Sequence, residues 1–203
     1  MVAIIDYGAG NLLSVQKALD FIGCENAVTS DPDIIAVADG AILPGVGSFG
    51  DAMEHMHTYG LVEAVQDFAA GGKPFLGICL GLQVLFDRSE ESPGVDGLSV
   101  LPGEVRRFPS DMGLKIPHIG WNSIACRPDC PLFEGLPTEP YVYFVHSYYL
   151  NAASDDAVAA TADYGIPFHA AAWRGNVFAT QFHPEKSGAV GLQILRNFAA
   201  LTN

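Results

Sequence analysis

Residues 75–86 read FLGICLGLQVLF, and the reading of the fold turns on them. An apolar run with the look of a buried strand reaches Cys79, and LGLQVLFDRS follows with helical spacing. Gly77-Ile78-Cys79-Leu80-Gly81 places a nucleophile between two glycines, each two residues away. A sharp turn from strand into helix exposes the middle side chain and crowds those two positions, so small residues there relieve the clash. The turn also sets Cys79 at a helix N-terminus, where free N–H groups and the positive dipole end favour a thiolate. It aims the Leu80 N–H at the place where an oxyanion forms. Taken alone, Cys79 has an alternative as a buried structural thiol, because free cysteine packs as a small hydrophobe.

Outward from this unit the same alternation repeats. VAIID, NAVT and GAILPG read as strands and YGAGN as a tight turn. LLSVQKALDFIG reads as a helix stopped by Gly23, and Asp31-Pro32 as an N-cap and first helical residue. Residues 51–70 are mostly helical, with a break near Gly60. Strand, helix, strand, helix with near-continuous apolar strands predicts a parallel sheet covered on both faces, with ligands outside the carboxyl ends of the strands. The second half differs. GEVRRF, KIPHIGWNSI, YVYFVHSYYL, DAVAATADY, FHAAAWRG and NVFATQF read as β segments, with WRGN as a hairpin turn, and a helix closes the chain from about Gly188 to Leu201. The expectation is one α/β domain over 1–203, in three layers, with a mixed, mostly parallel central sheet and helices on both faces.

The chain has 203 residues, 49% of them hydrophobic and 16% charged, which is a globular composition. A formal net charge of −13 excludes nucleic acid and anionic membrane as expected partners, because both need a basic face. No apolar run approaches the roughly 20 residues of a membrane helix, and Val2 to Ile5 is too short for a signal peptide. Cys24, Cys79, Cys126 and Cys130 form no recurring framework, so a reducing cytoplasm is expected. Cys126 and Cys130 read either as a redox or metal pair or as ordinary thiols. No second pair with zinc-like spacing accompanies them, and no metal or cofactor is expected.

A nucleophilic cysteine needs a base. Among six histidines, His55 and His57 fall on a surface helix and His169 on a half-exposed strand. His183 follows VFATQF and precedes Pro184, which blocks helix and fixes an extended exit, so that His183 and Glu185 can point the same way. The imidazole then takes the thiol proton and the carboxylate orients it. The alternative is a strand-end turn whose Glu185 and Lys186 face water. With His183 as base, activity falls on acidification. A second glycine-rich loop, LPGVGSFG from Leu43 to Gly50, lets a backbone lie close to a small ligand; beside Cys79 it supplies a second oxyanion donor from Val46 or Gly47. A plain β–α turn is its alternative.

PGVGSFG, GICLGLQ and QFHPEKS, in this order, resemble the class I glutamine amidotransferases over nearly the whole chain. YGAGN, SPGVDGLSVLPGEV, PHIGWN and YFVHSYY are similar to the glutaminase subunits of imidazole glycerol phosphate synthase. The resemblance implies a flavodoxin-like three-layer fold. It implies glutamine bound beside Cys79 and hydrolysed through a thioester, with Glu185 orienting His183. The oxyanion is held by Leu80 and by Val46 or Gly47. Gly45, Gln83 and the segment His146, Ser147, Tyr148 contact the substrate. The resemblance further implies that ammonia passes to a separate cyclase subunit with a TIM-barrel fold, in histidine biosynthesis. Asn11, Trp121 and Asn122 are interface candidates on that ground, Trp121 having a core anchor as its alternative. Three glycines at 45, 47 and 50 motivate the further expectation that the loop has two backbone arrangements, one favoured by the partner. Three competitors remain open from the sequence: an amidotransferase feeding another pathway, a free-standing cysteine hydrolase, and a catalytically silent subunit.

Overall fold

The computed structural model describes residues 1–202. β1 (Val2–Ile5) leads through the YGAGN turn to α1 (Leu12–Phe21); β2 (Asn26–Thr29), α2 (Pro32–Val37), β3 (Gly40–Gly45), α3 (Phe49–Thr58), α4 (Val62–Ala70) and β4 (Phe75–Cys79) follow. Local signals set these bounds. The Asp31 carboxylate accepts from the Asp33 N–H at 2.9 Å, with Pro32 in the first helical position. Ser48 caps α3 in the same way, and Gly60, at φ 67°, separates α3 from α4.

The remaining elements are α5 (Leu80–Val84), β5 (Arg88–Ser89), β6 (Gly103–Arg107), β7 (His118–Ser123), β8 (Ala125–Cys126), β9 (Tyr141–His146), β10 (Tyr148–Ala152), β11 (Val158–Asp163), β12 (Pro167–Arg174), β13 (Val177–Thr180) and α6 (Gly188–Ala200). The main sheet runs β2-β1-β3-β4-β13-β12-β10-β6-β5, with β11 and β8 branching from β12. From β2 to β13 every pairing is parallel; β12 joins antiparallel to β13 through the hairpin loop Gly175-Asn176. β7 and β9 form a separate two-stranded sheet.

Strand alternation makes the three layers. Ala3, Ile5, Ala41, Leu43 and Ala179 pack with residues of α2 to α5, while Val2, Ile4, Ile42, Leu76, Ile78 and Phe178 pack with α1, α6 and the inner side of the β7–β9 sheet. No helix among the described residues is long and apolar enough to cross a membrane.

Two sequence expectations change. The helix after Cys79 ends at Val84, and Arg88-Ser89 is strand. Residues 97–103 claim the backbone instead: Leu98 N–H donates to Val84 O at 2.8 Å, Val100 N–H to Leu85 O at 2.9 Å, and Asp87 binds Gly103 through both its N–H and its carboxylate. YVYFVHSYYL is two strands divided at Ser147, because β9 pairs with β7 whereas β10 pairs with β6 and β12.

Candidate active site

Cys79 closes β4 in a left-handed backbone conformation, φ 57° and ψ −108°, which costs a non-glycine residue of order 1–3 kcal/mol. The two glycines explain how so tight a turn packs. A Cβ on Gly77 would lie 2.7 Å from Gly81 O, and a Cβ on Gly81 would strike the Leu43 carbonyl. Each glycine therefore answers a backbone approach. α5 has only five residues, so its dipole is short, and unpaired N–H groups of its first turn do more for a thiolate than the macrodipole. As the first residue of α5, Leu80 has no intrahelical acceptor for its N–H.

His183 and Glu185 sit just beyond β13, the parallel neighbour of β4. The turn is pinned to β9: His183 N–H donates to Tyr143 O at 3.0 Å, Tyr143 N–H to Ser187 Oγ at 3.0 Å, and Ser187 Oγ–H to His183 O at 2.6 Å. His183 Nδ1 meets Glu185 Oε1 at 2.7 Å, and both side chains are buried, so Glu185 does not face water. His183 Nε2 is buried with no partner in strict hydrogen-bond geometry among the described residues, although the Cys79 thiol is near enough to act on it. Burial alone would depress the imidazole; hydrogen bonding to Cys79 and Glu185 and the negative charge of both carry it up to about 9. His183 therefore holds a proton through neutral pH. The loss of activity expected on acidification is then not the titration of a lone imidazole in its ordinary range.

A cavity of about 270 Å³ opens over these groups, lined by Val46, Gly47, Leu80, Gln83, the His146–Tyr148 segment, Glu91, Pro117 and Val145 in addition to Cys79 and His183. Gly45 lies beneath it, paired with Cys79 across β3 and β4. A Cβ on Gly45 would strike the Tyr7 hydroxyl. Val46 and Gly47 N–H groups have no acceptor among the described residues, and Gly47 holds φ 108°. The Ser147 N–H is likewise unclaimed, whereas Ser147 O accepts from Phe108 N–H at 3.1 Å. His146 Nδ1 meets Tyr148 O at 2.8 Å. A carbonyl only accepts, so His146 is protonated there, and its bare Nε2 takes the Nδ1–H of His118 at 3.0 Å. Burial holds both rings neutral, His118 down to about 4. For His146 the neighbouring His118 and His183 add to burial, and the ring falls to about 3 despite the Tyr148 carbonyl.

The sequence reading missed Glu91 and Gln181. Among the described residues Glu91 is the only carboxylate lining the cavity, and it also accepts from Phe49 N–H at 2.8 Å. Gln181 donates to the Cys79 sulfur at 3.7 Å. It follows β13 directly and is buried with Phe182 and His183, so its one signal is its place two residues before His183.

The interface candidates lie outside the cavity. Trp121 is 55% exposed, with Ile119 at 60% and Tyr141 at 55%, so Trp121 is no core anchor. These share the outer face of the β7–β9 sheet with Val145, which lines the cavity. Asn11 precedes α1 without capping it, next to Gly10, which lies against Pro44 and Gly45. Asn122 is engaged internally, its amide donating to Asp163 O at 2.8 Å and accepting from Ser123 N–H at 2.9 Å. Cys126 and Cys130 are free thiols raised by burial to about 12 and about 11, and no metal-ligand cluster exists among the described residues.

A family model described as glutamine amidotransferase class-I matches residues 3–201. The imidazole glycerol phosphate synthase subunit HisH of Syntrophotalea carbinolica is 54% identical, over 98% of each chain. The chain belongs to the class I glutamine amidotransferases, and within them to the HisH family. HisH of Methanosarcina barkeri is 52% identical, over 97% of this chain and 96% of that one. Among solved structures, one described as a glutamine amidotransferase matches with TM-score 0.77 at 20% identity, covering 100% of this chain and 99% of the other. PurLQS from Thermotoga maritima matches with TM-score 0.71 at 18% identity, over 97% and 96%. At those identities the likeness is one of fold. The two HisH relatives are closer in sequence to this chain than these two structures are.

Proposed function

We propose that this HisH-family chain hydrolyses glutamine to glutamate and ammonia and delivers the ammonia to the cyclase subunit of imidazole glycerol phosphate synthase, a TIM barrel on a separate chain. The observation that carries the reading is that Cys79 and His183 line one cavity, with Glu185 paired to His183 behind it, beside unclaimed backbone donors. The Cys79 thiolate attacks the side-chain amide carbon of glutamine. The N–H groups of Leu80 and of Val46 or Gly47 hold the oxyanion. His183 gives its proton to the departing ammonia, leaving a thioester; it then takes a proton from water, which attacks the thioester and releases glutamate.

The cavity lining explains the amino-acid end of the substrate. Glu91 is the group for an α-ammonium. Among the described residues no Lys or Arg lines the cavity, so an α-carboxylate falls to backbone donors such as the Ser147 N–H. Gln83 donates from Nε2 to Tyr148 O and Gln181 Oε1, which leaves its Oε1 as an acceptor for the ligand. The cyclase docks on the outer β7–β9 face and along Asn11, next to the cavity, because ammonia must cross unprotonated. Its docking favours the arrangement of residues 45–47 with donors aimed at the oxyanion. Free, unpaired thiols fit a reducing cytoplasm.

Glutamate release from glutamine tests the reading, with wild type and Cys79→Ala each assayed alone and with the cyclase and its nucleotide ligand. Low activity alone, a large rise with the partner and none for Cys79→Ala is the expected result. Equal turnover with and without the partner would remove the partner-gated loop, and activity in Cys79→Ala would remove the thioester mechanism.

A further inference from the structure

Gln181 is wholly buried, two residues before His183, and both ends of its side-chain amide are engaged at the centre of the site. Its Nε2 donates to Cys79 Sγ at 3.7 Å and its Oε1 accepts from Gln83 Nε2 at 3.0 Å. Gln83 Nε2 also reaches Tyr148 O at 3.3 Å, the carbonyl that takes the His146 Nδ1–H. The direction of this chain is fixed by chemistry. His118 donates to His146, His146 and Gln83 both donate to Tyr148 O, and Gln83 donates to Gln181. Only the Gln181 NH₂ is then left for the sulfur. A flipped Gln181 amide would set its oxygen against a thiolate and its nitrogen against another donor.

We propose that Gln181 is a further catalytic residue: its amide donates to the Cys79 thiolate and ties the nucleophile to the substrate-binding side chain of Gln83. A donor held to a thiolate in a water-poor site is stronger than one in water. The bond weakens when the sulfur becomes a thioester, a poor acceptor, and returns when the thiolate leaves. Gln181 therefore favours the thiolate over the thiol before attack and the departing sulfur when the thioester is hydrolysed, with no proton of its own transferred. The other titratable groups facing the sulfur are His183, with Glu185 behind it, and the buried Tyr7 hydroxyl. This inference rests on Cys79 as the nucleophile.

The test is the pH dependence of Cys79 alkylation by iodoacetamide, together with kcat and KM for glutamine in the complex with the cyclase. Gln181→Met keeps the volume and loses both bonds. The thiol midpoint should rise by about one pH unit, which is about tenfold in alkylation rate below the midpoint, with kcat down about tenfold and KM raised. Gln181→Glu keeps an acceptor for Gln83 and loses the donor, so its midpoint should rise at least as far while KM stays near wild type. A purely structural role would lower stability and leave the midpoint in place. If neither variant folds, NMR of the unmodified chain decides: the Gln181 side-chain amide signals should titrate with the Cys79 thiol and lose that response in Cys79→Ala. An unmoved midpoint in a folded variant, or an amide signal indifferent to Cys79, overturns the proposal. Glutaminase activity surviving in Cys79→Ala would instead overturn the reading of the site.

Discussion

His183 and His146 line the same cavity, and both are buried, yet they titrate in opposite directions. His183 is carried up to about 9, and His146 is pushed down to about 3. Burial opposes the imidazolium in both. The partner decides: His183 has the Glu185 carboxylate and the Cys79 sulfur, whereas His146 has a neutral carbonyl on one nitrogen and another histidine on the other. One wall of the cavity is thus built to hold a mobile proton and the other to hold a fixed one.

The sharpest way to break this contrast is Glu185→Gln, which gives His183 a neutral partner like that of His146. His183 loses the charge that supports its imidazolium, and kcat in the presence of the cyclase should fall about a thousandfold with the fold intact. Steady-state glutamate release checks it; a loss below about tenfold would mean that Glu185 does not set the state of His183. The wild-type pH profile carries the same contrast. A base raised to about 9 is charged below that value and loses its proton above it, so the donor needed by departing ammonia disappears as pH rises. Turnover should be level from about pH 7 to 8 and fall above about 9, by up to tenfold per unit. A profile that declines from pH 7 upward would place His183 in the ordinary imidazole range.

The neutral wall makes a stability prediction of opposite sign. His118 and His146 stay uncharged down to about 4 and about 3, while the unfolded chain takes up protons near about 6.5. Between these values the unfolded state binds more protons, so stability falls as pH falls. His118→Phe keeps the stacking with Phe144 and Tyr164 and removes one of the two titrations. Urea unfolding from pH 7 to 4 should show a shallower slope in the variant, by up to about 1.4 kcal/mol per unit, and about 1 kcal/mol lost at pH 7 for the orphaned His146 Nε2. An unchanged slope would mean that His118 is charged in the native state. A smaller effect belongs to Glu91→Gln, which keeps the Phe49 N–H acceptor and loses the charge. KM for glutamine should rise about tenfold with kcat nearly level, and an unmoved KM would take Glu91 out of ammonium recognition.

How much of this was legible in the sequence follows the same division. The Cys79 turn and the His183–Glu185 step are short, local and spelled by glycine and proline, so their geometry could be read before any fold was known. The parallel strands around them announce themselves as apolar runs. The neutral wall is non-local: Gln83, Gln181 and the His146–Tyr148 segment lie on three stretches of the chain, and nothing in their spacing says that they meet. α5 was read too long for a related reason, since its helical periodicity continues to Phe86 while hydrogen bonds from residues 97–103 take the backbone away. The Ser147 break between β9 and β10 was hidden in a continuous aromatic run, because alternation looks the same on either side of a change of sheet.

Tyr7 offers the finest test, because it belongs to neither wall. Its hydroxyl is fully buried between Gly45 and the Cys79 turn and has no hydrogen-bond partner among the described residues. An unpaired buried hydroxyl costs about 1 kcal/mol or more, so Tyr7→Phe should raise the unfolding free energy by about that amount and leave kcat unchanged. Burial and the nearby Cys79 both raise the phenol, so no proton from Tyr7 enters the chemistry at neutral pH. Equal or lower stability in Tyr7→Phe would show that the hydroxyl finds a partner in solution, and Gly45 is the backbone it touches. In that case Tyr7 would be holding the loop that carries the Val46 and Gly47 donors, and kcat with the cyclase would fall as well.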